Sequence, residues 1–184
     1  MHSHADLGLP ILPTADSLVH QGITTVVTGN CGETPAPLMP ETRDEVIASM
    51  ASDDAPLPWS WSSFGSFLDH LRQIGISLNM VPLVGQGTIR NGVMGYTSAA
   101  PTASQMERMQ GEVARAMSEG AIGLSTGLIY PPGSYATSEE LIALTRTVGA
   151  RQGYYFSHIR GEGHTLLEAI AEAILIGRET GASV

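Results

Sequence analysis

Apolar and polar positions along this chain follow two periods in turn, and the pattern predicts strands that alternate with helices. Continuous apolar or β-branched runs predict buried strands, whereas apolar residues three and four positions apart, closed by glycine, predict helices. The predicted strands are a strand end at 1–4, strands at 23–28, 77–84, 121–125 and 153–158, and the start of a sixth at 181–184. The predicted helices are 13–21, 41–51, 63–73, 102–119, 138–152 and 165–180, and residues 85–88 are predicted to close the third strand.

This alternation predicts an α/β fold with parallel strands joined by right-handed crossovers. Five strands and the start of a sixth do not close an eight-stranded barrel, which usually takes about 250 residues. The pattern therefore leaves two architectures open, a partial (β/α)8 barrel and an open doubly wound sheet. No glycine-rich phosphate turn follows the first strand, which weakens a nucleotide-binding version of the open sheet.

The composition narrows the function classes. The 184 residues favour one domain, and a net charge of −9 without a basic patch argues against nucleic acid and anionic membranes as partners. All nine basic residues are arginine. A Schiff-base lysine, a P-loop lysine and a carbamylated lysine are therefore excluded within this stretch.

The cysteine count and the hydropathy predict the cellular compartment. A single cysteine forms no internal disulfide, so no disulfide framework supports secretion. No signal peptide precedes the first motif, and no apolar run reaches the length of a membrane span. We therefore expect a cytoplasmic protein.

Four side chains that bind metals well lie at or just past the C-terminal ends of predicted strands: His2, His4, Cys31 and His158. A His-x-His pair on a strand places both imidazoles on one face, because side chains alternate with period two. Imidazole and thiolate ligands suit a borderline-soft ion such as zinc. In a (β/α) barrel these strand ends meet at one mouth, so the shared position predicts a metal site.

Other polar residues near these ends have two interpretations each. Asp6 is either an outer acceptor that orients an imidazole or a loop carboxylate. Arg160 and Glu162 either support the site and bind a substrate carboxylate, or form a surface ion pair. Tyr130 follows the fourth strand, where its phenol would hydrogen-bond a substrate or would pack in a rigid, proline-rich loop.

Several segments in the same order resemble the N-acyl-D-amino-acid deacylase (D-aminoacylase) branch of the metal-dependent amidohydrolase superfamily. They are His2-Ser3-His4-Ala5-Asp6, the stretch 21–32 ending in Gly29-Asn30-Cys31-Gly32, Val84-Gly85-Gln86-Gly87-Thr88, the stretch 123–133 beginning Gly-Leu-Ser-Thr-Gly, and Ser157-His158-Ile159-Arg160-Gly161-Glu162. The Gly-Asn-Cys-Gly and Ser-Thr-Gly-Leu segments are fairly specific to this branch, whereas His-x-His marks the whole superfamily.

The resemblance implies a TIM-type barrel with a small β-sandwich, and zinc held by a cysteine where relatives use a carbamylated lysine. It implies that Cys31 and His158 bind a tight zinc ion, and that His2 and His4 bind a second, weaker metal with Cys31 as the bridge. It also implies that Tyr130 contacts the carboxylate end of the substrate, and Arg160 is the second substrate contact that we expect from its place after the fifth strand.

The same resemblance implies that parts of the family machinery lie outside these residues. The family uses a further histidine after strand six and, as general base, an aspartate after strand eight, and both would lie beyond Val184. We therefore expect residues 1–184 to form a partial barrel domain without the β-sandwich and the C-terminal strands.

The expected parent activity is zinc-dependent hydrolysis of N-acyl-D-amino acids, with little activity from this chain alone. The alternatives are an amidohydrolase of cyclic amides or isoaspartyl peptides, and a non-enzymatic fragment. Exposed barrel edges would favour self-association of such a fragment.

Overall fold

The computed structural model describes residues 2–50 and 57–184, and it has the alternating order of strands and helices that the sequence predicts. The strands are β1 (Thr25–Thr28), β2 (Asn79–Pro82), β3 (Val84–Gly85), β4 (Gly123–Gly127) and β5 (Tyr154–His158). The helices are α1 (Ala5–Gly8), α2 (Asp16–Val19), α3 (Arg43–Met50), α4 (Phe64–Ile74), α5 (Gln86–Met94), α6 (Ala103–Glu119), α7 (Ser138–Gly149) and α8 (Leu166–Thr180). Met1 and Ala51, at the ends of two predicted elements, lie outside the described residues.

Every strand pair in the described residues is parallel. β1 pairs with β2, and β3, β4 and β5 form a second sheet in that order. Leu83 alone separates β2 from β3, so one segment of chain links the two sheets. The predicted α/β class with parallel strands is confirmed.

Two single bridges extend this pattern at both ends. His2 bridges to Val27 of β1, and Ser183 bridges to Tyr154 of β5, both in parallel orientation. The predicted first strand end and the predicted start of a sixth strand are thus present as isolated pairs. The chain has the same direction there as in the sheets, so side chains that follow these strands emerge at the same edge.

Helix ends follow local sequence signals closely. Thr102 caps α6 through a capping box with Gln105, and Gly120 ends the helix where the pattern predicts its end. Thr137 caps α7, since its side chain accepts a hydrogen bond from the Glu140 amide.

Three short elements differ from prediction. α1 was not predicted, and α2 covers four residues of the nine predicted for 13–21. The prediction that 85–88 only closes a strand is wrong, because α5 begins at Gln86 and runs to Met94. No helix in residues 2–50 or 57–184 is both long and apolar enough to span a membrane.

Candidate metal centre

The His-x-His segment lies against the end of β1. Ser3 donates its backbone N–H to the carbonyl of Val27 at 3.0 Å, which fixes the register of the two histidines. The rings of His2 and His4 have centroids 5.2 Å apart. One ligand atom each from His2, His4 and Cys31 lie within 4.8 Å of one another. The structure thus brings three of the four predicted metal ligands into one cluster.

Cys31 reaches this cluster on a turn of unusual backbone conformation. Gly29, Cys31 and Gly32 have φ values of 75°, 56° and 76°, and positive φ is uncommon for a residue with a side chain. The buried Asn30 supports the turn, because its Nδ2 donates to the carbonyls of Val27 at 2.8 Å and of Ser3 at 3.0 Å. Asn30 therefore joins the His-x-His segment to the turn that carries the thiol.

The fourth predicted ligand, His158, ends β5 and lies next to the thiol. Its Nδ1 is 3.6 Å from the Sγ of Cys31, and the Nε2 of His2 is also 3.6 Å from that sulfur. The Nε2 of His158 is 3.0 Å from a carboxylate oxygen of Glu162. The sulfur is therefore equally close to two imidazoles, one of which is also hydrogen-bonded to a carboxylate.

The four side chains open onto a cavity of about 490 Å³. Tyr130, from the loop after β4, lies at its rim with its ring edge-on to His158 at 5.2 Å between centroids. Tyr130 is 43% exposed. Tyr130 thus lies beside the candidate ligands, at the place where the sequence predicts a substrate contact.

The electrostatics of the cluster favour neutral groups when no metal is bound. Burial, followed by the charges of His4 and His158, lowers the pKa of His2. Burial, followed by the charge of Glu33, raises the pKa of Cys31. A neutral imidazole is ready to bind a metal, whereas a thiol must first lose its proton. Two imidazoles and a thiolate suit a borderline-soft divalent ion such as zinc.

Asp6 is buried next to the same turn. Burial raises its pKa to about 7, although backbone N–H groups, including that of Gly29, oppose the rise. Within the described part of the chain, its Oδ1 has no hydrogen-bond partner. The carboxyl group of Asp6 therefore lies against the backbone at the end of β1. Its role as an outer acceptor that orients an imidazole stays a prediction.

Arg160 is committed to other contacts. Its guanidinium pairs with Glu172 of α8 at 3.1 Å and donates to the carbonyls of Ser134 and Ala136 at 3.0 and 2.8 Å. It joins the segment after His158 to α8 and to the loop after β4. The predicted contact between Arg160 and a substrate stays a prediction.

Asn30 is a part of the site that the sequence does not predict. Its side chain carries no metal-binding chemistry of its own, and its place in the Gly29-Asn30-Cys31-Gly32 segment is the signal that the sequence offers. Its two carbonyl partners are supplied by a chain segment 27 residues away as well as by the local turn. Such a long-range partner follows from the fold and not from a local motif.

Comparison of the sequence and the fold with known proteins shows which family the chain belongs to. No family model matches the chain. The chain is 37% identical over 185 residues to D-aminoacylase of Alcaligenes xylosoxydans xylosoxydans, a match that covers 97% of the chain and 36% of the relative. A crystal structure of D-aminoacylase that defines a subset of amidohydrolases superposes with a TM-score of 0.86 at 34% identity, over 99% of the chain and 38% of that structure.

A second solved structure is N-acyl-D-glutamate deacylase from Bordetella bronchiseptica, in complex with zinc and a phosphonate that mimics the tetrahedral intermediate. It superposes with a TM-score of 0.86 at 34% identity, over 98% of the chain and 37% of that structure. The chain thus spans little more than a third of the length of each of these relatives. On sequence and on fold, the chain belongs to the N-acyl-D-amino-acid deacylase (D-aminoacylase) branch of the amidohydrolases.

Proposed function

We propose that this chain forms the zinc-binding part of a hydrolase that releases D-amino acids from N-acyl-D-amino acids. The observation that carries the proposal is the position of the Cys31 sulfur, 3.6 Å from a ring nitrogen of both His2 and His158. These three residues come from three separate strand ends. Their convergence on one point supports a shared metal centre.

The distances match the chemistry of zinc. Zinc bonds of about 2.3 Å to sulfur and about 2.0–2.1 Å to nitrogen, at a tetrahedral angle, separate the two ligand atoms by about 3.6 Å. Both sulfur–nitrogen separations have this value. The thiol is therefore already at the spacing that a bound ion requires on each side.

Two metal positions share the sulfur in this proposal. Cys31 and His158 hold the tighter zinc ion. His2 and His4 hold a second, weaker metal, with Cys31 as the bridge. The mutual spacing of His2, His4 and Cys31, all within 4.8 Å, supports the second position.

When bound, zinc would supply Lewis acidity toward the amide carbonyl and make water acidic enough to attack near neutral pH. Side chains of this chain would contact the substrate and orient the metal ligands in this region. Tyr130 at the rim of the cavity would offer a phenol to the substrate. Arg160 would bind the substrate carboxylate only after it releases its contacts with Glu172, Ser134 and Ala136. Glu162 holds the ring of His158 so that Nδ1 faces the sulfur.

The D-aminoacylase and N-acyl-D-glutamate deacylase matches support linear N-acyl-D-amino acids as the substrate class, in preference to cyclic amides or isoaspartyl peptides. The general base is proposed to be an aspartate beyond Val184. Residues 1–184 would then be part of a (β/α)8 barrel domain, which the parallel strands and the 36% coverage of D-aminoacylase support. A cytoplasmic location stays a prediction.

Self-association is part of the same proposal. Several apolar side chains of β5 and α8 are exposed: Tyr154, Phe156, Leu167, Ile170, Ile174 and Leu175. β5 pairs with β4 along its full length, whereas the described residues add only the bridge to Ser183 on its other side. A free strand edge and exposed apolar side chains on a helix favour a second copy of this chain as the partner.

The test measures zinc binding and turnover separately. Titration calorimetry of the metal-free chain should show zinc bound at Cys31 and His158, and an assay with N-acetyl-D-methionine plus zinc should show little turnover above a metal-only control. Absence of zinc binding would contradict the proposed centre. Turnover well above the control would contradict the proposal that the base lies beyond Val184.

A further inference from the structure

The turn that carries Cys31 is held from a strand far away in sequence. Ser125 lies in the middle of β4, and its side chain is completely buried. Its hydroxyl accepts a hydrogen bond from the backbone N–H of Gly32 at 3.1 Å. The same hydroxyl donates to the backbone carbonyl of Gly29. One side chain therefore satisfies both ends of the Gly29–Gly32 turn.

The backbone of this turn gains little support from its own sequence. Three of its four residues have positive φ, including Cys31, for which this conformation is unfavourable. When they are buried away from local partners, a carbonyl group needs a donor and an N–H group needs an acceptor elsewhere. Ser125 supplies one of each.

The end of β4 also packs directly against the turn. A Cβ atom added at Gly127 would lie 2.2 Å from the carbonyl oxygen of Cys31, and one added at Gly32 would lie 2.8 Å from the backbone nitrogen of Gly127. The turn thus rests on the strand with no space for a side chain between them. Small changes in this contact move the backbone that sets the position of the sulfur.

We propose that Ser125 is a positioning residue for Cys31, which holds the thiol between the two imidazoles. Its effect on metal binding rests on the proposed zinc centre. Loss of the hydroxyl leaves the Gly32 N–H and the Gly29 carbonyl without this partner, and the turn relaxes toward a backbone that suits Cys31 better. The sulfur then leaves the spacing that zinc requires.

The variant Ser125→Ala in the 184-residue chain tests this role with two measurements. The first is zinc affinity by competition with a chelator, which should fall about tenfold or more, as for other groups that orient a ligand. The second is the rate at which iodoacetamide alkylates Cys31 in the metal-free chain, which should rise as the turn loosens. Ser125→Thr keeps the hydroxyl and should restore both values toward those of the original chain.

A matched control separates positioning from general destabilisation. Val148→Ala removes a fully buried side chain from α7, a helix that contributes no candidate ligand, and should lower the melting temperature while leaving both measurements unchanged. Equal zinc affinity in Ser125→Ala and the original chain, or an equal loss in Val148→Ala, overturns the role of Ser125. If the original chain binds no zinc, the zinc centre fails, and an unchanged alkylation rate in Ser125→Ala then overturns the positioning role by itself.

Discussion

The Sγ of Cys31 lies 3.6 Å from the Nδ1 of His158, although 127 residues separate them in the sequence. Cys31 follows β1 and His158 ends β5, which belong to two different sheets. Parallel strands that share one direction bring their C-terminal ends to one edge, so the contact is a consequence of topology. The contact distance equals the separation of about 3.6 Å that a tetrahedral zinc ion imposes on a sulfur and a nitrogen ligand.

Replacement of the thiol should abolish tight zinc binding. In Cys31→Ser, zinc affinity should fall by about 100-fold or more, because loss of a group that only supports a ligand already costs about 10–100-fold. Competition with a chelator measures the change. His20→Gln is the control, since His20 is exposed and lies just after α2, and it should bind zinc like the original chain. Equal zinc affinity in Cys31→Ser would remove the sulfur from the site.

The second prediction concerns the hydrogen bond between His158 and Glu162. Glu162 accepts from Nε2 at 3.0 Å, which leaves Nδ1 free to face the metal. Glu162→Gln should weaken zinc binding by about tenfold while the fold stays intact. Glu168→Gln alters another exposed glutamate, in the first turn of α8, and should have no effect. If the two variants bind zinc equally, Glu162 is only a surface carboxylate.

Much of the candidate centre is predictable from the sequence because its candidate ligands are chemically distinctive. His2, His4, Cys31 and His158 each stand at a strand end that the apolar pattern reveals, and period-two geometry places His2 and His4 together. Ser125 and Asn30 lie in the two segments that are most specific to the family branch, but their residue types do not indicate what their side chains bind. Their roles depend on backbone groups of distant segments, which only the fold brings close.

Helix α5 is another element that the local sequence does not predict. Gly85, just before the helix, and Gly87, its second residue, favour a turn, since glycine lowers helix propensity. The structure explains them by contact: a Cβ atom at Gly85 would lie 2.4 Å, and one at Gly87 2.9 Å, from the carbonyl oxygen of Gly32. The N–H of Thr88 donates to that same carbonyl. Tertiary packing against the Cys31 turn, and not local propensity, selects the helix here.

The third prediction concerns the buried ion pair between α5 and α7. Arg90 of α5 and Glu140 of α7 are 3.2 Å apart, and both side chains are almost completely buried. Burial raises the pKa of Glu140, and Arg90 opposes the rise, so the charged carboxylate depends on its partner. Glu140→Leu should lower the free energy of unfolding by about 3–5 kcal/mol, because it leaves a buried guanidinium unpaired.

The double variant Arg90→Met with Glu140→Leu tests how strongly the two buried charges stabilise each other. It should be less destabilised than the sum of the two single variants, since it removes both buried charges together. Urea denaturation of the four chains gives the coupling energy. Additive effects would mean that Arg90 acts through its bonds to the carbonyls of Thr97 and Ala99 and not through Glu140.

The last prediction concerns self-association through the exposed apolar side chains of α8. Leu167 is 77% exposed and Ile174 is 47% exposed, one on each of two successive stretches of the same helix face. Burial of one leucine or isoleucine side chain contributes about 1.5–3 kcal/mol, so a second copy that covers both side chains gains a driving force for association. Leu167→Glu with Ile174→Glu places two charges on that face and should shift the chain toward monomer in sedimentation velocity. Leu12→Glu changes another exposed leucine, 67% exposed and remote in sequence from α8, and should leave the distribution as it was. An original chain that sediments as a monomer at all concentrations would exclude this interface, and an equal shift in both variants would attribute association to general surface apolarity.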